Sequence, residues 1–127
     1  MRETSRRPFE YDDIRKMAEI ESEFRQIRYA RFAHELCRGP AWDMLLELYV
    51  SESKHLKTQT VYLAEASGAA HATGMRWVAY LLQEGLIEQV QDPRDKRSKF
   101  VSLTDKARMA LDQYFFACRN ALRRHDP

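Results

Sequence analysis

The chain has 127 residues, enough for one hydrophobic core, and its 44% hydrophobic content is that of an ordinary globular protein. No apolar run approaches the ~20 residues needed to cross a bilayer, and no apolar stretch follows the basic start Met1-Arg2-Glu3-Thr4-Ser5-Arg6-Arg7-Pro8, which points away from a secretory signal and towards a cytoplasmic protein. The net charge is only +2, so a nucleic-acid partner has to be argued from where the charges sit.

Glycine and proline, four of each, punctuate the chain. Residues 1–8 read as a flexible basic arm, and residues 9–127 as a single domain. A helical pattern fills residues 9–36, where Met17, Ile20, Phe24 and Ile27 form a heptad-like seam suited to packing against another helix. Gly39 ends that pattern and Pro40 opens the next helix, about 40–55, with Trp42, Leu45, Leu46, Tyr49 and Val50 on its apolar face. Leu56-Lys57-Thr58-Gln59 is a short extended segment. A short helix over 60–66 turns inward Val61, Leu63 and Ala64; Ser67-Gly68-Ala69 is a turn; a helix over about 70–84 buries Trp77, Val78 and Leu81.

Gly85 caps that helix and Leu86 is the apolar residue that follows such a cap. The period then changes. Residues 87–91 and 99–103 read as two strands around the charged turn Asp92-Pro93-Arg94-Asp95-Lys96-Arg97-Ser98, which makes a β-hairpin. Thr104 is a good N-cap for a last helix running to about 123, whose stripe is Ala107, Leu111, Tyr114, Phe115, Cys118 and Leu122. Ala110, Phe116, Ala117 and Ala121 widen its apolar surface beyond one face, which suggests a second partner.

A short helix, a glycine turn, a second helix and a charged hairpin is the order of a winged helix-turn-helix. The first helix of such a pair braces the second, which enters the major groove of DNA, while the hairpin lies alongside as a wing. The expected class is mostly α (α+β): a winged helix-turn-helix with a two-stranded β-wing, flanked by long N- and C-terminal helices. The runs Leu63-Ala64-Glu65-Ala66-Ser67-Gly68, Leu81-Leu82-Gln83-Glu84-Gly85-Leu86-Ile87, Asp92-Pro93-Arg94-Asp95-Lys96-Arg97 and Val101-Ser102-Leu103-Thr104-Asp105-Lys106 resemble the MarR family of transcriptional regulators. The resemblance covers roughly residues 42–111. It implies a homodimeric DNA-binding regulator, often a repressor, with residues 40–103 as the DNA-binding core and the helices at 9–36 and 104–123 as the dimer interface. The start of the second helix, Ala69-Ala70-His71-Ala72-Thr73-Gly74-Met75, is poorer in serine and arginine than family members are, and Gly74 weakens a helix by ~1 kcal/mol relative to alanine.

The candidate DNA-reading side chains on this recognition helix are His71, Thr73, Met75, Arg76 and Tyr80; Arg76 lies off the apolar face, suited to a guanine edge or a phosphate. In the wing, Arg94 is the candidate for a minor groove, where negative potential attracts guanidinium, with Lys96, Arg97 and Lys99 on phosphates. Asp92 and Asp95 do not favour DNA themselves and are expected to orient Arg94 and Arg97. The bland readings are a solvated surface arginine for Arg76, a core-facing Thr73, a Tyr80 ring packed beside the wing, and a solubilising charged turn for the wing.

The expected partners are double-stranded DNA and a second copy of the chain, with no membrane. Nothing in the sequence specifies a small-molecule effector. No phosphate-binding glycine loop, nucleophile elbow or metal-ligand spacing is present, so no enzyme activity, cofactor or metal is expected. Cys37 and Cys118 read as free, packed thiols. Two rival readings stay open: a winged-helix protein-interaction module, which the alanine-rich recognition helix would suit, and a low-specificity architectural DNA binder.

Overall fold

The computed structural model describes the backbone of residues 2–125 and the side chains of residues 11–125. Five α-helices and three short strands follow in the order α1 (Arg2–Arg31), α2 (Gly39–Ser53), β1 (Thr58–Gln59), α3 (Thr60–Ala66), α4 (His71–Gln83), β2 (Ile87–Gln91), β3 (Lys99–Leu103) and α5 (Asp105–His125), with a single 3₁₀ turn at His34–Leu36 between α1 and α2. By close contacts the described residues fall into two units, residues 33–112 and residues 2–32 with 113–125.

In residues 33–112, helices α2, α3 and α4 surround a core of Met44, Leu45, Leu48, Leu63, Val78 and Leu81, all at most 2% exposed. The sheet closes one side of this core through Ile87, Val101 and Leu103, which are buried while their strand neighbours are not. That alternation is the period of a strand with one face covered. The wing hairpin pairs β2 with β3 antiparallel, Val90 opposite Phe100 and Ile87 opposite Leu103. The sheet has three strands rather than two: β1 pairs with β3, Thr58 opposite Val101, giving the order β1-β3-β2. A two-residue strand has no periodicity of its own to read, and only its distant partner makes it one.

Glu52 of α2 fixes the far end of the wing. Its carboxylate accepts the backbone N–H of Leu103 at 2.7 Å and pairs with Arg108 of α5 at 2.8 Å. Thr104 caps α5 as expected, its hydroxyl accepting the N–H of Ala107 at 3.2 Å and donating to the Gly85 carbonyl at 2.8 Å. Trp77, expected inside, is half-buried; it meets Tyr80 edge-on, with ring centroids 5.4 Å apart. Val61, also expected inward, is 51% exposed, because a seven-residue helix buries only one narrow stripe, here Thr60, Leu63 and Ala64.

In the other unit, α1 packs against residues 113–125 of α5. The Tyr114 hydroxyl donates to the Phe24 carbonyl at 3.3 Å and accepts from the Arg28 guanidinium at 3.2 Å; burial is the main cause that pushes its pKa up to about 12. Glu23 pairs with Arg124 at 2.6 Å and with His125 at 2.9 Å, and these two partners hold its carboxyl below the usual range. The seam on α1 is shorter than expected: Ile20 is buried, whereas Met17 is 63% exposed, as is Ile14. On α5 the buried stripe continues from Cys118 to Ala121, and Leu122 is 46% exposed, because steps of four and three residues land on Ala121. α1 also takes in residues 2–8, read from sequence as a flexible arm, and stops at Arg31 instead of reaching 36. Arginine and glutamate are good helix formers, and the helix runs on through Pro8 despite the bond that an interior proline removes.

Candidate nucleic-acid interface

The recognition helix is seated by a close approach of two backbones. A side chain at Gly74 would place its first carbon 2.5 Å from the carbonyl oxygen of Ala64 in α3. Glycine is therefore required where α3 and α4 cross, and the helix-weakening residue of the sequence is the one that lets the pair pack. Its signal in sequence is only the composition Ala64, Gly68, Ala70, Ala72 and Gly74, small residues on both sides of the turn.

With that face against α3, the expected site residues of α4 separate by exposure. His71, the first residue of the helix, and Arg76 are exposed. Thr73 is half-buried and its hydroxyl accepts a long hydrogen bond, 3.4 Å, from the Arg76 guanidinium. Met75 is half-buried in a cleft of about 390 Å³ that also takes in Ala79 of α4 and Gln89, Arg97 and Lys99 of the wing. Tyr80 is half-buried against Trp77. Loss of hydration, then the carboxylates of Glu84 and Glu35, raises the Tyr80 pKa above its ordinary value.

The wing carries its charge outward. Arg94, Lys96, Arg97 and Lys99 are all exposed, and among the described residues the one ion pair they make is a long contact from Arg97 to Asp95 at 3.7 Å. The two aspartates act on the turn's backbone more than on guanidinium groups. Asp92, 7% exposed, accepts the backbone N–H of Arg94 at 2.8 Å, and Asp95 accepts that of Arg97 at 3.0 Å. Each is an aspartate bonding its own chain two residues on, which is how this side chain makes turns. Gln91 closes the hairpin from inside, its amide donating to the carbonyls of Asp95 at 3.2 Å and Ser98 at 2.9 Å.

The cleft thus brings Met75, Arg97 and Lys99 together, while Arg94, Lys96 and Tyr80 lie off its lining. Two residues that the sequence reading leaves out tie the wing to the helix pair. Thr60, buried at the start of α3, donates to the Lys99 carbonyl at 3.2 Å and accepts from Gln89 at 3.0 Å. Neither residue type at these positions announces a role; both act through tertiary contact. Among the described residues, no group of three or more histidine, cysteine or acidic side chains could hold a metal ion, and no helix is long and apolar enough to cross a membrane.

Three solved structures share this fold. YusO from Bacillus subtilis matches with a TM-score of 0.73 and 15% identity over 98% of this chain and 82% of its own. The transcriptional regulator Tm0710 from Thermotoga maritima matches with a TM-score of 0.64 and 17% identity, covering 93% of this chain and 78% of its own. MepR from S. aureus, solved as a complex with DNA, matches with a TM-score of 0.56 and 17% identity over 92% and 83%. No curated protein matches the chain in sequence. Residues 72–107, the recognition helix and the wing, match the winged helix DNA-binding domain, and the chain has the winged-helix fold that the sequence resemblance implies.

Proposed function

We propose that this chain is a sequence-specific regulator of transcription that binds double-stranded DNA as a homodimer and acts as a repressor. The observation that carries the reading is the wing: Arg94, Lys96 and Arg97 on a turn shaped by carboxylates, with Lys99 at the start of β3, all exposed, together with an exposed Arg76 on α4. Four basic side chains within positions 94–99 would not lower the energy of the free protein. Against a phosphate backbone each releases a counterion. The recognition helix enters a major groove with His71 and Arg76 towards base edges, and Arg94 enters the neighbouring minor groove. The solved MepR–DNA complex supports this use of the fold.

Apolar side chains left exposed on α1 and α5 support the dimer. Tyr11, Ile14 and Met17 on α1 and Phe116 on α5 are each 59–63% exposed, apolar surface that a second copy of the chain could cover. Two recognition helices related by a two-fold axis would sit about 34–36 Å apart, one turn of DNA.

Selection of bound sites from a random duplex library at near-physiological salt tests the reading. An enriched inverted repeat is expected. Arg94→Ala should then weaken binding to that repeat and lower the log–log salt slope by ~0.9, with the fold intact; unchanged affinity would remove Arg94 from the interface. One observation favours a second reading, a low-specificity architectural binder: of the five α4 candidates only His71 and Arg76 are exposed. Retention of duplexes without an enriched motif would establish that reading instead, and no retention would leave a protein-interaction module.

A further inference from the structure

Two elements, α4 and the wing, carry the exposed cations of the candidate interface. A two-stranded hairpin is marginally stable by itself, so its direction depends on what braces it. At its root the hairpin is tied to α2, where Glu52 accepts the Leu103 N–H at 2.7 Å. Towards the tip it is held from within: β2 pairs with β3 from Ile87 to Gln91, and Asp92, Asp95 and Gln91 close the turn. None of those bonds reaches α3 or α4.

Thr60 supplies that link. The register of β1 on β3, Thr58 opposite Val101 and Gln59 opposite Phe100, leads to Thr60 opposite Lys99. The chain enters α3 at that residue, and the tie is made by the side chain: the hydroxyl donates to the Lys99 carbonyl at 3.2 Å. The same oxygen accepts from the Gln89 amide at 3.0 Å. Gln89 stands on β2, opposite Val101, so its side chain reaches over β3 to the start of α3. One hydroxyl therefore joins both wing strands to α3, the helix against which Gly74 seats α4. Thr60 is 6% exposed, and a buried hydroxyl that both donates and accepts is fixed in direction. Among the described residues, no other side-chain hydrogen bond joins residues 87–103 to α3 or α4.

We propose, on the DNA-binding reading above, that Thr60 and Gln89 are positioning residues: they hold the wing at the angle at which its cations meet the phosphate backbone while Arg76 lies in the major groove. Neither is assigned a contact to DNA. They act through the wing cations, of which Arg97 and Lys99 line the cleft between wing and α4 with Met75. With the bridge made, docking of α4 presents the wing to the neighbouring phosphates as an intramolecular partner. Without it the wing keeps its fold but has to be ordered at the moment of binding, which lowers affinity.

The test compares Thr60→Val, nearly isosteric but without the hydroxyl, with Thr60→Ser, which keeps it, and with Gln89→Met at an exposed position. Affinity of the full chain for a duplex that the wild type binds is followed by fluorescence anisotropy over a range of salt concentrations. None of the three changes alters the charge, so a lower log–log slope means that a cation has stopped meeting a phosphate. Thr60→Val should weaken binding roughly three- to tenfold, the size of one hydrogen bond, and lower the slope by ~0.9 or more. Thr60→Ser should restore both to near the wild-type values, and Gln89→Met should fall between. Arg94→Ala should cost less affinity in the Thr60→Val background than alone, as expected of coupled residues. Wild-type slopes in Thr60→Val and Gln89→Met, with Arg94→Ala still costly, would overturn the positioning role and leave the DNA-binding reading standing. Weaker binding at an unchanged slope would overturn it too, since that is the mark of a purely structural residue. Absence of duplex binding by the wild type would remove the DNA-binding reading and the positioning role with it. Should Thr60→Val fail to fold, Gln89→Met decides by the same slope.

Discussion

Helices α2 and α4 end in the same hydrogen-bonded motif with different contents. After α4, Gly85 donates to the Leu82 carbonyl at 3.1 Å and Leu86 to that of Leu81 at 3.0 Å; after α2, His55 donates to Glu52 at 3.0 Å and Leu56 to Ser51 at 2.9 Å. Both motifs need a residue in the left-handed region, Gly85 at φ 71° and His55 at φ 58°. The backbone course is shared, but the leucine that follows is 7% exposed in one case and 59% in the other. The positions that the leucine can fold back on differ: Leu81 of α4 is fully buried and apolar, while in α2 the buried Ser51 is polar and the apolar Val50 before it is itself 41% exposed. A helix stop is thus set by local hydrogen bonds, whereas its contribution to stability depends on what the next side chain reaches.

The largest expected effect separates the two leucines. Leu86→Ala should lower the unfolding free energy by about 2–4 kcal/mol, as for other large-to-small changes in a core. Leu56→Ala should change it by less than ~0.5 kcal/mol, as for a surface position. Denaturant titration of both variants checks the contrast, and equal losses would break it. Gly85→Ala comes next. A side-chain carbon there would meet nothing within 4 Å, so the loss is conformational alone, ~1 kcal/mol. A much larger loss would mean that the turn also packs. The smallest effect has the opposite sign: His55→Gly should relieve the left-handed penalty and raise stability by up to ~1 kcal/mol, seen as a higher midpoint with an unchanged denaturant slope.

The same contrast explains what the sequence reading reaches. Helix α3 and both wing strands lie where the pattern puts them, at Thr60–Ala66, Ile87–Gln91 and Lys99–Leu103. Each of their boundaries carries its own chemical signal, among them Gly85, the Asp92-Pro93 turn and the Thr104 cap. The misses are the features whose cause lies elsewhere in the chain. The α2 cap has no glycine to announce it. β1 exists only because Val101 and Phe100 lie opposite it. Gly74 reads as a weakness until Ala64 is brought against it. At the candidate interface the exposed cations of the wing are legible as a cluster, because consecutive residues in a turn need no tertiary information. The ranking of the α4 candidates is not legible, since it depends on which side of the helix α3 covers.

One consequence of the wing's construction concerns how such a surface could be redesigned. Asp92 and Asp95 hold the turn through backbone N–H groups, so the shape of the loop does not depend on what side chains Arg94 and Arg97 carry. Scaffold and contact surface are therefore separable parameters. In a saturation library, positions 94, 96 and 97 should tolerate nearly every residue when variants are sorted for folded protein, while positions 92 and 95 should not. The wing would then accept a new set of contacts as a cassette, exchanged at its tip without rebuilding the hairpin beneath it.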